Sequence, residues 1–479
     1  MSVMQQGNLP AESQFDVGYA RRTLIIFGLI VLLVFYIELM MTPSTPKILI
    51  QYNVSLGKVS LILALYTVFG VALTPAVGKL GDIYGKKKVL LIVLIAYSFM
   101  VVTTSFTPNF TTLLISRTFQ GIGITISPLA LSLSREQFPR EMIPRAQGLI
   151  SGMIFAGIGL GLSLGAFISN CWGWQANYHL VSPLIIILTV LIALLVKESR
   201  YRDPKAKLDY QGSILLGSSL AMIVLGLSQG ASWGWTSYSV VGLISIGLFL
   251  IVPLVIVERK LDQPLLDFGQ LRAKNILVSN LLAFNIGAAI VLTFATLVYK
   301  LEDALPSGYG FNVATAGLYI LPFAMVVLIF SYPIGILNSR FGVKPFLLIG
   351  GVIGTVGSAL LSVESDSIQI PLYVSVAALG FAMILISRQV LLVLSVKQNE
   401  MGTMISIGQV FFNVGQSVAP AISASILSTY TVTAVLGGHS YFLPTSQAFD
   451  YVFWVVTAIF VLSLLISFLG REVIARRIP

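Results

Sequence analysis

Long apolar stretches alternate with short polar segments along nearly all of this 479-residue chain. A helix needs about 20 apolar residues to cross the hydrocarbon core of a bilayer, and most of these stretches reach that length. Taken between charged or Pro/Gly-rich breaks, they predict fourteen membrane-spanning helices, near residues 23–48, 59–78, 88–106, 110–134, 146–169, 179–196, 211–229, 238–257, 276–299, 314–334, 345–363, 370–396, 402–430 and 450–470. The pattern therefore predicts an all-α integral membrane protein.

The composition agrees with this interpretation. Of the residues, 56% are hydrophobic and 10% are charged, and the mean hydropathy is +0.91. These values lie far outside those of soluble globular proteins. Fourteen spans leave only loops and tails, so we expect a multi-pass protein of the cell membrane without a separate soluble domain. No small-residue cleavage site follows the first span, which we therefore interpret as a retained helix and not as a signal peptide.

The net charge of +10 is distributed unevenly along the chain. If the N-terminus is cytoplasmic, 24 of the 29 Lys and Arg residues fall in cytoplasmic segments and three in external segments. The positive-inside rule requires this bias of an even number of spans with both termini in the cytoplasm. Because topology explains the basic residues, nucleic acid is not an expected partner.

Few residues are available for catalysis or metal binding. The chain has one cysteine, Cys171, and two histidines, His179 and His439. These counts exclude a disulfide framework and a cysteine-based metal site, and they provide little for a Ser-His-Asp arrangement. We therefore expect no metal, no cofactor and no enzymatic activity.

A short loop motif occurs twice in the chain. Residues 78–88 read GKLGDIYGKKK and follow the second span, whereas residues 335–344 read GILNSRFGVK and follow the tenth. The first copy resembles the loop signature of the major facilitator superfamily, and the second resembles a degraded copy in which Ser339 replaces the acid. In the common twelve-helix members the copies follow helices two and eight. The resemblance therefore implies a major facilitator fold with two six-helix bundles and two inserted helices between them.

This resemblance implies three segments. They are an N-terminal six-helix bundle in residues 1–200, two inserted transmembrane helices with flanking loops in residues 201–268, and a C-terminal six-helix bundle in residues 269–479.

Further motifs narrow the resemblance. Residues 117–123, RTFQGIG, are similar to the Arg-x-x-Gln-Gly element of the superfamily. Residues 208–212 and 258–267 resemble segments of the fourteen-helix drug:proton antiporter family. Leu162 stands where the antiporter motif of that family usually has proline. The glycines of the fifth span keep the spacing of that motif, namely Gly148, Gly157, Gly161 and Gly165.

The loop motif is suited to a conformational latch made of Gly78, Asp82, Gly85 and Lys86, with Arg340 in the second copy. Asp82 follows the predicted end of the second span, where it can accept hydrogen bonds from the N-terminus of a neighbouring helix. The lysines can pair with acids of the opposite bundle when the cytoplasmic side is closed. As an alternative, the lysines are topogenic charges with no latch role.

Apart from Asp450, which stands at the outer boundary of the last span, Glu38 is the one acid of 19 that falls inside a predicted span. An ionised carboxylate is costly in the membrane unless it is neutralised or paired, so such a group can load a proton on one side and release it on the other. At about 1.5 Å per residue, Glu38 and Arg117 lie at one depth and can pair. We predict that they form the proton-coupling site. The alternatives are a structural ion pair and a packing role of Arg117 on backbone carbonyls. Pro43 and Pro46 predict a kink near this site.

A central cavity is predicted from polar and aromatic side chains within the spans. The candidates are Tyr66, Gln120, Phe155, Asn285, Arg388, Gln409 and Asn413. Arg388 has no intramembrane acid left to pair with, so it meets an anionic substrate group or extends to the cytoplasmic interface. For the others the alternative is an interhelical hydrogen bond or packing against lipid. One carboxylate among aromatic and amide groups favours a neutral or monocationic amphipathic substrate.

Together these features predict a secondary active transporter that exports lipophilic or amphipathic small molecules in exchange for protons by alternating access. The expected partners are a small-molecule substrate, protons and the lipid bilayer, and the oligomeric state stays open. One alternative, favoured by Leu162, is a facilitator or proton symporter for an organic solute. Another is a transport-inactive receptor or scaffold, in which a buried acid and a gating motif would have no use.

Overall fold

The computed structural model describes residues 16–54, 56–199, 208–261, 264–302, 308–364, 366–436 and 439–474. Its first half contains α1 (Val17–Leu39), α2 (Thr45–Tyr52), α3 (Leu56–Tyr84), α4 (Lys86–Ser105), α5 (Phe110–Gln120), α6 (Ile126–Gln137), α7 (Ile143–Trp172) and α8 (Trp174–Leu195). The middle of the chain forms α9 (Tyr210–Trp233) and α10 (Tyr238–Glu258). The second half contains α11 (Phe268–Leu271), α12 (Lys274–Glu302), α13 (Val313–Phe341), α14 (Lys344–Leu361), α15 (Ile370–Ser395), α16 (Met401–Thr429), β1 (Thr431–Leu436), β2 (His439–Pro444) and α17 (Ser446–Leu469).

The helices reproduce the predicted spans with one exception. In the described residues, 13 helical segments are long and apolar enough to cross a membrane, and each overlaps one predicted span. The predicted fourth span is divided into α5, a 3-10 turn at Gly121–Thr125, and α6. A Cβ atom on Gly121 would collide with the carbonyl oxygen of Tyr66, so α3 and this turn lie backbone against backbone. Thirteen of the fourteen predicted spans are therefore found as long apolar helices in the described residues, and the fourth is this broken segment.

Both ends of the described chain lie at one face of the helical assembly. Near the start of α1, the Tyr19 hydroxyl donates to the side chain of Gln137 at the end of α6 (2.5 Å). In the same turn of α6, Arg135 donates to the carbonyl oxygen of Val396, which follows α15 (2.9 Å). Beyond α17, Glu472 accepts from the turn between α13 and α14 (2.7 Å). We call this the terminal face and the opposite end of the helices the distal face.

The two halves of the chain meet most extensively through two helix pairs, α7 with α13 and α3 with α16. Glycines let the backbones approach at both contacts. A Cβ atom on Gly148 would lie 2.6 Å from the carbonyl oxygen of Ser331 in α13, and one on Gly78 would lie 2.6 Å from that of Gly402 in α16. Small residues of this kind allow membrane helices to pack closely without a hydrophobic driving force.

The middle helices α9 and α10 lie at the side of the assembly. Helix α9 packs against α3, α16 and α10. Among the described residues of α10, those buried are Val240, Gly247, Leu254 and Glu258. Ser219 of α9 donates to the Gly247 carbonyl oxygen (2.7 Å) and so joins the two helices. The proposed boundary at residue 200 falls on residues 200–207, outside the described part.

A β-hairpin stands on the distal face between α16 and α17. Strand β1 pairs antiparallel with β2, from Thr431 opposite Pro444 to Leu436 opposite His439. At its base, the backbone N–H of Thr445 donates to the Tyr430 carbonyl oxygen (2.9 Å). Hydropathy does not predict this element, because its mixed polar and apolar residues follow an apolar span directly and resemble a loop.

The two halves share one capping arrangement at the terminal face. Glu198, which follows α8, accepts from two backbone N–H groups in the first turn of α4 (3.0 and 3.1 Å). The Lys87 ammonium donates to a carbonyl oxygen near the end of α8 (2.8 Å). Glu472 and Lys344 repeat both contacts between α17 and α14, with distances of 2.7 and 3.3 Å for the carboxylate and 2.9 Å for the ammonium. Each half therefore closes its last helix onto the start of its third membrane-spanning helix in the same way.

We expect Glu198→Gln and Glu472→Gln each to lower the free energy of unfolding by about 1 kcal/mol, the usual value of a helix N-cap. Each change removes a negative charge from a helix N-terminus. Thermal unfolding of the purified protein measures the effect. Because the two caps lie in separate halves, the double variant should show the sum of the two losses. Unchanged unfolding of both single variants would contradict the capping role.

Candidate functional site

Glu38 lies in the last turn of α1, directly before the helix breaks. Helix α1 ends at Leu39, a 3-10 turn with Pro43 follows, and α2 begins at Thr45. The predicted kink is therefore a break between two helices. Helix ends leave carbonyl oxygens without N–H partners. The break thus places Glu38 beside unsatisfied backbone acceptors in the interior of the protein.

Arg117 of α5 fills this position. Its side chain is fully buried and donates to the carbonyl oxygens of Ile37 (3.1 Å) and Glu38 (2.9 Å). The guanidinium therefore caps the C-terminus of α1, where a positive charge is favoured. No ion pair between Arg117 and the Glu38 carboxylate is found in the described part of the chain. The two residues are adjacent, as predicted from their depth, but the arginine contacts the backbone of Glu38 and not its carboxylate.

Polar and aromatic groups surround the guanidinium of Arg117. Gln120 accepts from it (3.0 Å) and donates in turn to the carbonyl oxygen of Met100 (3.0 Å). The ring of Tyr66 lies under the guanidinium, 4.8 Å from its centroid, as in a cation–π contact. Within the described residues, the Tyr66 hydroxyl and Oε2 of Glu38 are buried without hydrogen-bond partners. Most buried polar groups in proteins are hydrogen-bonded, so these two atoms beside a buried cation are candidates for a functional role.

Three of the four motif glycines of α7 pack against the end of α1. A Cβ atom would lie 2.9 Å from the Phe35 side chain at Gly157, 2.7 Å from the Tyr36 carbonyl oxygen at Gly161, and 2.8 Å from Cα of Met40 at Gly165. These glycines hold α7 against the turn that carries Glu38. Gly148 faces α13 instead, so the four glycines do not form one contact surface.

Arg388 of α15 is a buried cation in the second half of the chain. Its side chain is 4% exposed, so it does not extend to the interface. It lies 5.9 Å from the ring centroid of Phe412 and makes a long hydrogen bond to Gln389 (3.5 Å). Among the described residues it forms no ion pair, and its Nε has no hydrogen-bond partner. A buried cation without a counter-charge is costly and commonly marks a functional position in a membrane protein.

The remaining cavity candidates occupy three different environments. Phe155 of α7 contacts Phe412 of α16 edge to face, with ring centroids 6.2 Å apart, and so joins the two halves. Gln409 donates to the Asn413 oxygen within α16 (3.3 Å). Asn285 of α12 donates to a serine of α17 (3.2 Å) and is thus engaged inside the second half. The structure therefore brings Phe155 and Arg388 to one ring but places Asn285 apart.

Asp82 joins the two halves at the terminal face. The sequence predicted a position after the end of the helix, but Asp82 lies in the last turn of α3. Its carboxylate accepts from the backbone N–H groups of Gly402 (3.0 Å) and Thr403 (2.9 Å), and from the Thr403 hydroxyl (2.9 Å). These groups form the first turn of α16, so Asp82 caps a helix of the other half. The terminal face is therefore closed by this contact.

Lys86 pairs within its own half, which corrects the expectation of a partner in the opposite bundle. Its ammonium lies 2.9 Å from Asp82 and 2.6 Å from Glu136 of α6. All three side chains are buried. Like Glu38, both acids lie within helices, because α3 and α6 extend beyond the apolar stretches that predicted the spans. The lysine thus holds the capping carboxylate in place from the side of the first half.

The other two latch residues differ from each other. Gly85 has a φ of 104° and allows the tight turn between α3 and α4. Arg340, in the last turn of α13, is exposed, and Ser339 donates to a carbonyl oxygen of its own helix (2.7 Å). The second loop motif therefore lacks the carboxylate cap of the first, in agreement with the loss of its acid.

Sequence reasoning missed Glu136 and Thr403 because each acts through a partner far away in the chain. The burial of Lys86, which requires a nearby acid, is known only from the structure, so the sequence carried no signal for either residue. Among the described residues, no group of three His, Cys, Asp or Glu side chains could hold a metal ion.

Two helical halves that meet around buried charged groups, and that are closed against each other at one face, are the arrangement expected of a membrane transporter. The chain belongs to the Major Facilitator Superfamily, whose family model matches residues 24–308 and 277–478. It is therefore a multi-pass protein of the cell membrane.

Relatives and a solved structure agree with this assignment. The chain is 28% identical to Multidrug resistance protein 3 of Bacillus subtilis over 334 residues. These residues make up 68% of this chain and 64% of that protein. It is 23% identical over 418 residues to Multidrug transporter protein MdtP of the same organism, which covers 85% of this chain and 76% of that one. The crystal structure of the human organic anion transporter MFSD10 superposes with a TM-score of 0.66 at 15% identity, covering 94% of this chain and 99% of that one. This last likeness concerns the fold alone.

Proposed function

We propose that this transporter exports lipophilic or amphipathic small molecules in exchange for protons, as a fourteen-helix drug:proton antiporter. In this proposal the broken segment Phe110–Gln137 crosses the membrane as the fourth span and so brings the total to fourteen. Both termini are cytoplasmic. Residues 1–200 and 269–479 are the two six-helix bundles, and residues 201–268 hold the inserted helices. The similarity to multidrug proteins supports the substrate class.

One observation carries the proposal. The Glu38 carboxylate has a buried oxygen without a hydrogen-bond partner in the described structure, while the cation beside it is engaged with backbone carbonyls. Burial without a paired counter-ion favours the protonated form of a carboxylic acid, and opening to water favours the ionised form. A group in this environment exchanges a proton when the access to water changes. Glu38 is therefore the proposed proton carrier.

Alternating access would use the contacts between the halves. With the terminal face closed by Asp82 on α16, the region around Glu38 and Arg388 would open to the distal side, where a proton loads and the substrate leaves. Release of the Asp82 cap would let the bundles rock and open the terminal face. There Glu38 would release its proton to the cytoplasm and the substrate would bind. The glycine contacts between α7 and α13 allow the helices to move without side-chain interlocking.

A second candidate function is proton symport or facilitated transport of an organic solute. Arg388 favours it, because an unpaired buried guanidinium suits an anionic group of a substrate. Leu162, in place of the proline of the antiporter motif, favours it as well. In this case Glu38 and the substrate would load from the same side.

The direction of coupled flux distinguishes these functions. In proteoliposomes with an imposed pH gradient, an antiporter accumulates a permanently charged fluorescent dye such as ethidium in the acidic compartment. A symporter accumulates its substrate in the alkaline compartment. Liposomes with the Glu38→Gln variant, and wild-type liposomes with the gradient collapsed by an ionophore, are the controls. Absence of gradient-driven flux for a chemically diverse panel of compounds would contradict the proposal.

A further inference from the structure

The structure contains a cavity at the distal face, lined by none of the residues that were described around Glu38. It measures about 680 Å³, within the usual size range of small-molecule sites. Helices α12 and α16 form its walls, and the base of the β-hairpin closes one side. The lining residues are Ala295, Tyr299, Glu302, Pro420, Ser423, Ala424, Leu427, Leu443 and Pro444. All of them belong to the second half of the chain.

The cavity results from the way in which α12 and α16 pack. Nearer the middle of the helices, glycines bring the backbones together. A Cβ atom on Gly287 of α12 would lie 3.0 Å from the carbonyl carbon of Phe412, and one on Gly415 of α16 would lie 2.9 Å from that of Phe284. Towards the distal face, the space between the two helices is left to the cavity. Pro420 lies inside α16 where the cavity begins.

Glu302 brings a carboxylate to this otherwise apolar space. It forms no ion pair within the described residues, and residues 303–307 contain no Lys, Arg or His. The cation closest to it in sequence, Lys300, is engaged elsewhere, with Glu364 at 2.6 Å and Asp450 at 2.8 Å. The negative charge of Glu302 is therefore not compensated by Lys300.

A second polar group in the wall is unsatisfied. Ser423 is 4% exposed, and within the described structure its hydroxyl has no hydrogen-bond partner. A buried hydroxyl without a partner costs free energy, which a bound molecule would recover. Most of the other lining side chains are aliphatic or proline, and Tyr299 adds an aromatic ring, which attracts cations.

We propose that this cavity, which we call the α12–α16 cavity, is a binding site for a lipophilic organic monocation. The apolar wall holds the body of the ligand, Glu302 supplies its counter-charge, and Ser423 offers a hydrogen bond. The site is separate from the proton-coupling position and needs neither a pH gradient nor transport to be occupied. Its test is therefore independent of the test of the proposed function.

The experiment uses a cysteine inside the cavity as a local reporter. The exposed native Cys171 is changed to Ser, and Ala424→Cys is introduced. The rate of modification by a small thiol reagent is measured on purified full-length protein with and without tetraphenylphosphonium. Tetraphenylborate, an anion of nearly the same shape, is the matched probe. Ser428→Cys, on an exposed side of the same helix, is the matched reporter.

We expect saturating tetraphenylphosphonium to slow modification of the cysteine at position 424 by about tenfold, with little effect at position 428 or from tetraphenylborate. Adding Glu302→Gln should raise the half-protecting concentration by about tenfold, which corresponds to about 1.4 kcal/mol, whereas Glu302→Asp should retain most of the protection. Three outcomes would overturn the proposal. These are no protection by the cation, equal protection by the anion, and unchanged protection in the Glu302→Gln variant.

Discussion

Replacing Glu38 with Gln is expected to abolish pH-driven transport while leaving substrate binding and exchange in place. Glutamine keeps the shape of the side chain and resembles the protonated acid, but it cannot release a proton. If Glu38 carries the proton, gradient-driven flux should fall by at least about hundredfold, within the range usual for loss of a group that transfers protons. The measurement is dye flux in proteoliposomes under an imposed pH gradient, together with equilibrium binding of the same dye.

Two further variants make this result specific. Glu38→Asp keeps a carboxylate and should retain partial activity. Asp366→Asn removes an exposed acid at the distal face and should behave as the wild type. Intact proton-driven flux in a folded Glu38→Gln variant would rule out Glu38 as the coupling group.

Asp82→Asn is expected to reduce turnover by about tenfold or more with nearly unchanged substrate affinity, because charged hydrogen bonds of this kind contribute roughly 1.5 to 3 kcal/mol each. The carboxylate caps α16 from the other half, so its hydrogen bonds to that helix stabilise the state in which the terminal face is closed. Asparagine keeps the size of the side chain but loses one acceptor oxygen and the charge. The measurement compares the maximal transport rate with the binding constant.

Asp209 provides the matched control for Asp82. It caps the N-terminus of α9 through the backbone N–H of Gly212 (2.8 Å), a contact within a single segment of the chain. Asp209→Asn therefore tests the loss of a helix cap without loss of a contact between the halves. We expect it to affect stability and leave turnover nearly unchanged. An equal loss of binding and transport in Asp82→Asn would place Asp82 in the substrate site and contradict the latch.

The sequence alone was sufficient to predict the class of protein and the positions of the thirteen long apolar helices that the structure describes. Hydropathy is a one-dimensional property, and a spanning helix must satisfy its own backbone hydrogen bonds, so each apolar stretch of sufficient length predicts a helix. Counting residues along each span also gave the depth of a side chain in the membrane. This count placed Glu38 and Arg117 at the same depth. The limit appears in the fourth span, where Gly121 and its neighbours form a 3-10 turn that lies against the backbone of α3.

Tertiary structure decided which groups pair. Arg117 reaches the carbonyl oxygens of Ile37 and Glu38 because α1 ends there. The prolines predicted a kink nearby, but the apolar pattern continues beyond it and does not mark the end at Leu39. Lys86 is paired with an acid of its own half, and the acid of the same motif caps a helix that begins more than 300 residues later, with hydrogen bonds across 320 and 321 positions. The α12–α16 cavity and the hairpin that closes it likewise depend on packing.

The physical reason is the same in each case. The apolar pattern specifies whether a residue lies in a span and roughly how deep it lies. The rotation of each helix about its axis, the place where it ends and the neighbour that it meets depend on contacts between segments far apart in the chain. Those contacts determine whether a half-buried carboxylate such as that of Glu38 stays unpaired or, like that of Asp82, becomes a cap.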